Sequence, residues 1–165
     1  MRQELTFDVY PVEFRKKGGA IEPENAVEFA RKRLGFEPDE LQTEVLLSNS
    51  KRGILNCSRQ WGKSTVAAAK AVHLAYTKAG SLILVSSPSG RQSRLFLRTV
   101  AEMLKKLGVR RKKDGDNPIS LVLPNGSRIV GLPEAEAKVR GFSRPSMVLI
   151  DEAAFLAKAG ALAGG

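Results

Sequence analysis

Arg52-Gly-Ile-Leu-Asn-Cys-Ser-Arg-Gln-Trp-Gly-Lys-Ser-Thr-Val-Ala-Ala-Ala69 is the stretch whose reading decides the fold. An apolar pair, Ile54-Leu55, opens it. A polar loop follows, and Gly62-Lys63-Ser64 leads into an alanine-rich run of good helix formers. The order expected is therefore strand over 52–57, loop, then helix over 64–79. That context turns a short motif into a phosphate site. A helix N-terminus presents unpaired N–H groups and the positive end of a dipole, so an anion is stabilised there. Gly62 lets the backbone approach a phosphate with no Cβ in the way. Lys63 can reach β- and γ-phosphates, and the Ser64 hydroxyl can ligate Mg²⁺. One position departs from the usual G-x-x-x-x-G-K-[ST] pattern: Cys57 stands where the first glycine belongs. An ordinary polar strand-to-helix turn is the plainer alternative, and the rest of the chain weighs against it.

The chain has 165 residues, 42% hydrophobic and 27% charged, which suits one globular domain with a core of its own. It contains no apolar run of about 18 residues, so no membrane span is expected. Its first residues, MRQELTFDVYPVEF, lack the basic-then-apolar order of a secretion signal. A single cysteine excludes an intramolecular disulfide and suits a reducing cytoplasm, and with only one histidine, His73, a zinc site is not expected. The net charge is +10 and the pI about 10.0, which points to a polyanionic partner such as nucleic acid. Basic residues cluster at Arg15-Lys16-Lys17, Arg31-Lys32-Arg33, Lys105-Lys106 and Arg110-Arg111-Lys112-Lys113. Each cluster could equally be a solvated surface.

Residues 1–35 read as an N-terminal accessory segment. It has a flexible join at Lys16-Lys17-Gly18-Gly19, then a packing and DNA-facing accessory helix from Pro23 with Ala26, Val27, Phe29, Ala30 and Leu34 at helical spacing and Gly35 as its stop. Residues 36–165 read as part of the main domain. Asp39 is placed to cap a helix with Leu41, Val45 and Leu46 on one face. Gln42 offers a donor and an acceptor that match the adenine edge, against the alternative of a plain surface glutamine. His73 and Tyr76 read as helix packing. Ser81–Ser86 is an apolar run suited to a strand buried on both faces of a parallel sheet. It empties into a polar loop, Ser87 to Gln92, at the end where α/β folds bind ligands. A helix is expected over 92–107, a basic linker over 108–117, and an edge hairpin turning at Pro124-Asn125-Gly126.

Met147-Val-Leu-Ile-Asp-Glu-Ala-Ala-Phe155 then runs four apolar residues directly into Asp151-Glu152. Two adjacent carboxylates at the end of a buried strand are costly to place unless they serve a cation or a proton. Asp151 would hold Mg²⁺ together with Ser64, and Glu152 would polarise the water that attacks a γ-phosphate. Helix capping by Asp151 is the bland alternative. Taken with Gly62-Lys63-Ser64 upstream, the expected fold is α/β: a P-loop NTPase of the RecA-like type with a mainly parallel sheet flanked by helices. ATP and Mg²⁺ are the ligands this implies.

The loop Cys57-Ser58-Arg59-Gln60-Trp61-Gly62-Lys63-Ser64-Thr65 resembles the deviant Walker A loop of large terminase subunits, the ATPase motors that package DNA into viral capsids. Gln42 in L-Q-T-E-V-L resembles their adenine-binding segment. Ser86-Ser-Pro-Ser-Gly-Arg-Gln-Ser93 resembles the loop after their second strand. Arg140-Gly141-Phe142-Ser143 followed by M-V-L-I-D-E resembles their block ahead of Walker B. The resemblance covers about residues 36–156. It implies that Ser58, Arg59, Gln60, Trp61, Gly62, Lys63, Ser64 and Thr65, with Gln42, bind the nucleotide. It implies that Arg59 senses or stabilises the γ-phosphate beside Lys63 and Glu152, and gives Arg140 a weaker role as a sensor or intersubunit arginine. The implied partners are double-stranded DNA, a portal protein, a small terminase subunit and a homo-oligomeric ring, in the host cytoplasm. The tail after Phe155 departs from the family by carrying no coupling strand and no nuclease domain. From this an N-terminal fragment with an exposed sheet edge, weak nucleotide binding and poor hydrolysis on its own is expected. Two other classes stay open: a DEAD-like helicase, which usually keeps the first glycine, and a non-enzymatic DNA-binding remnant.

Overall fold

The computed structural model describes residues 15–17, 20–22, 24–58, 60–110, 112, 114, 115, 117–133 and 142–152. A four-stranded sheet in the order β4-β5-β3-β6 is its centre, built from β3 (Leu82–Ser87), β4 (Ser120–Val122), β5 (Arg128–Pro133) and β6 (Met147–Ile150). β3 lies parallel to both β5 and β6, with Leu84 opposite Val130 on one side and Val148 on the other. β4 pairs antiparallel with β5 across the Pro124-Asn125-Gly126 turn, as expected of an Asn-Gly hairpin. The fold is α/β, mostly parallel, with that single antiparallel pair in the sheet.

The helices are α1 (Ala26–Phe29, continued by a π-helical turn over Ala30–Leu34), α2 (Glu40–Leu47), α3 (Lys63–Thr77) and α4 (Gly90–Lys106). All four contribute to one apolar cluster with the sheet face that carries Ile83, Val85 and Ile129. Leu84, Val130 and Leu132 form a smaller cluster on the opposite face. The alanines of α3 explain its position: Ala68, Ala69, Ala71 and Ala75 are buried and let the helix lie close to its neighbours. Gly131 does the same for α4, since a Cβ there would come within 3.1 Å of the Ser93 Cβ. Asn125 joins the hairpin to α3 by donating from Nδ2 to Ala75 O at 2.8 Å.

Several expectations are corrected. Residues 53–58 form no strand: the segment is unpaired, and Ile54 is 93% exposed. A strand is stabilised by its neighbour, and β6 pairs only with β3 among the described residues. Residues 15–22 are not simply a join, because Arg15–Lys17 (β1) and Ala20–Glu22 (β2) pair antiparallel. The first helix is capped by Asn25, whose side chain accepts from Val27 N and Glu28 N. Its basic cluster does not form a free patch. Arg31 pairs with Glu37, Lys32 with Glu28 and Arg33 with Glu24, and Arg33 also lies over the Tyr76 ring. Leu41 is 58% exposed, and Gln42 takes the inward position beside Leu46. His73 and Tyr76 pack against Phe29, as expected of helix-packing residues.

Candidate functional site

Asp39 caps α2 by accepting from Gln42 N at 2.8 Å, and the Gln42 side chain returns the bond, accepting from Asp39 N at 3.0 Å. This capping box fixes Gln42 at 8% exposure and turns its amide nitrogen to the phosphate-loop segment, where Nε2 donates to Trp61 O at 2.9 Å. One amide hydrogen and one oxygen lone pair remain after these two contacts. The loop itself is drawn into a turn by Lys63, whose ammonium donates to Cys57 O and Ser58 O, both at 2.9 Å. Gln60 (φ 68) and Gly62 (φ 90) are left-handed, with Trp61 between them. Gly62 is required here twice over: its φ disfavours any side chain, and a Cβ would meet Gln42 Nε2 at 3.3 Å. Ser64 lies exposed in the first turn of α3, with Thr65 half-buried beside it.

Asp151 stands at the exit of β6. Asp151 N donates to Ser86 O at 2.9 Å, extending the parallel β3–β6 ladder by one bond. Burial holds the Asp151 carboxyl above the usual carboxylate range and the adjacent Glu152 charge adds to this. The Glu152 backbone N–H and the Lys63 ammonium act the other way. Glu152 is exposed and left-handed (φ 53) at the strand's exit. Ser64 and Asp151 offer a hydroxyl and a carboxylate, oxygen donors of the kind that Mg²⁺ takes. Arg59 and Arg140 lie outside the described residues.

The polar loop after β3 is ordered by Ser89, which caps α4 by accepting from Gln92 N at 3.3 Å. A groove of about 700 Å³ lies away from Lys63 and Asp151, between the last turns of α4 and residues 108–110. Arg98, Lys105 and Arg110 line it with Glu102. Arg91 and Arg94 continue the exposed basic row toward the start of α4. Lys112 is held in place as Lys112 N donates to Val122 O at 2.9 Å, and Arg128 pairs with Asp114. Lys112 is thereby tied to β4 and Asp114 to β5. Sequence reading missed Lys70, whose ammonium reaches three carbonyls at the end of α2. Nothing in a lysine on a helix announces partners more than twenty residues upstream.

No helix among the described residues is long and apolar enough to cross a membrane. The fold is similar to that of the large terminase ATPase domain of Thermus phage P74-26. The TM-score is 0.70 at 20% identity, over 80% of this chain and 60% of that one. An arginine-to-alanine mutant of the same domain gives 0.70 at 21% identity, over 79% and 60%. The chain thus spans about 60% of the length of these solved structures. No curated protein matches the sequence. The family model for the N-terminal part of the T4-like-virus type of terminase large subunit matches residues 54–162, from the apolar pair ahead of the phosphate loop past Asp151-Glu152. With well over half of its residues matched, the chain belongs to the N-terminal family of terminase large subunits of the T4-like-virus type.

Proposed function

We propose that this chain is the ATP-binding and hydrolysing part of a large terminase, the motor that drives double-stranded DNA into a viral procapsid in the host cytoplasm. What supports the reading is that Gly62-Lys63 opens α3 while Asp151 stands at the exit of β6, where the Lys63 charge favours its ionised form. The two residues come from elements that are far apart in sequence.

Each residue then has a task its chemistry suits. Lys63 exchanges its two loop carbonyls for phosphate oxygens, a stronger charge-assisted partner. The N–H groups around Gly62 receive the same phosphates at the positive end of α3. Ser58, Gln60, Trp61 and Thr65 complete the loop, and Gln42 uses its remaining donor and acceptor on the adenine edge. Ser64 and Asp151 would hold Mg²⁺, which supplies charge neutralisation at the β- and γ-phosphates when bound. A cation beside Asp151 would relieve the burial and like-charge repulsion that now hold its carboxyl high. Glu152 accepts a proton from the attacking water, and Arg59 spreads positive charge over the γ-phosphate.

The DNA partner is assigned to the exposed row of α4 and its groove, where Arg91, Arg94, Arg98, Lys105 and Arg110 have no ion-pair partner among the described residues. Portal protein, small terminase subunit and ring assembly belong to the whole motor and follow from family membership. Calorimetric titration with Mg-ATP tests the nucleotide reading. Saturable binding is expected for the native chain, with a loss of about a hundredfold or more in Lys63→Ala as two or more charge-assisted contacts go. Equal binding by both, or none by a folded native chain, overturns it.

A further inference from the structure

α2 is attached to the limb that carries the phosphate loop at both of its ends. At its N-terminal end, Gln42 holds Trp61 O. At its C-terminal end, Lys70 of α3 donates from Nζ to Val45 O at 2.6 Å, to Ser48 O at 2.7 Å and to Leu46 O at 3.3 Å. The carbonyls of a helix's last turn have no donor within the helix. An ammonium with three protons answers three of them at once and also meets the negative end of the helix dipole. Lys70 is half-buried, and burial pulls its pKa down. A charge placed there is costly unless it is firmly held, and these carbonyls hold it.

Together the contacts close a ring: Lys70, the end of α2, one turn back to Gln42, across to Trp61, then through Gly62 and Lys63 along α3 to Lys70 again. We propose that Lys70 is a positioning residue for the phosphate loop. By clamping the last carbonyls of α2 it sets where Gln42 carries the Trp61 carbonyl, and hence the conformation of the Trp61–Gly62 peptide at the head of α3. The ring has little slack, because the space between Gly62 and Gln42 Nε2 is too small for a methyl group without a shift. Lys70 touches no nucleotide; its effect passes through α2. The inference rests on reading residues 57–65 as the nucleotide site.

Trp61 is the chain's only tryptophan, so the loop carries its own reporter. Emission and acrylamide quenching are to be recorded on the full chain as Lys70→Met, Lys70→Arg and native protein, first without nucleotide and then with Mg-ATP. Far-UV circular dichroism checks the fold of each. In Lys70→Met, emission shifts to longer wavelength, quenching increases, and the Mg-ATP dissociation constant rises about tenfold. Lys70→Arg, which keeps the charge and several donors, returns both readouts toward native values. A merely structural lysine would lower the melting temperature and leave the Trp61 spectrum of the folded variant unchanged, and that result overturns the proposal. Should Lys70→Met not fold, Lys70→Gln, neutral and shorter but still a donor, replaces it with the same two expectations. If the native chain gives no saturable response to Mg-ATP, the nucleotide reading fails. Lys70 is then judged on the nucleotide-free spectra, where identity of the folded variant with the native protein overturns it.

Discussion

At the scale of single residues, the phosphate loop is held by small, directional demands. Gly62 and Gly35 are both left-handed glycines, with φ of 90 and 62, yet their surroundings differ. Nothing lies within 4 Å of a Cβ built on Gly35, whereas one on Gly62 meets Gln42 Nε2 at 3.3 Å. Gly35→Ala should therefore cost only the backbone strain, about 1 kcal/mol. Gly62→Ala should cost about 2–3 kcal/mol, because the Gln42 contact must also give way. Urea unfolding of the two variants measures both, and equal losses would show that Gln42 does not press on the loop. Gln42 itself combines a role legible from sequence with one that is not. The Asp39-to-Gln42 spacing announces a capping box, but the bond to Trp61 O depends on where α2 is carried in space.

At the scale of elements, the docking of α1 on α3 is polar at its edge and aromatic at its centre. His73 Nε2 lies 2.9 Å from Glu24 O, a contact in which the neutral ring donates, and the ring meets Phe29 edge-on at 5.2 Å. Burial lowers the His73 pKa below its ordinary 6.5; the Glu24 carbonyl and carboxylate oppose this, and the nearby Lys70 charge reinforces it. The folded pKa is thus depressed relative to the unfolded chain. Stability from this group is present above pH 6.5 and is lost as pH falls through the lower, folded value, since the unfolded state binds the proton first. The melting temperature should therefore decline on acidification below about pH 6.5. His73→Gln should flatten that part of the profile. An unchanged slope in the variant would assign the acid sensitivity to another group.

At the scale of the whole molecule, the charge of +10 is unevenly used. The cluster Arg31-Lys32-Arg33 is neutralised by Glu37, Glu28 and Glu24, while the α4 row and Arg110 stand free of ion pairs among the described residues. Double-stranded DNA binding should accordingly depend on α4. Each phosphate contact adds about 0.9 to the steepness of log K against log salt, so Arg98→Ala with Lys105→Ala should reduce that slope by nearly 2. Arg31→Ala with Lys32→Ala should leave it unchanged. Fluorescence anisotropy with a labelled duplex over a range of salt concentrations makes the comparison, and equal slopes for both pairs would remove α4 from the DNA surface.

The sequence by itself determined the loop that leads into α3, the strand ending in Asp151-Glu152, the Asn-Gly hairpin, the caps at Asp39 and Gly35, and the parallel character of β3. Each is written in neighbouring residues: turn chemistry, capping pairs or an unbroken apolar run. What only the tertiary structure decided depends on distance in space. Residues 53–58 have the composition of a strand and are not one, because strand formation requires a partner and none pairs with them among the described residues. Arg31-Lys32-Arg33 looks like a polyanion site and is a set of ion pairs, because Glu24 and Glu37 from the turns before and after its helix, and Glu28 within it, meet the three cations. Lys70 looks like a surface lysine and is a clamp, because its carbonyl partners lie 22 to 25 residues upstream and only packing brings them within reach.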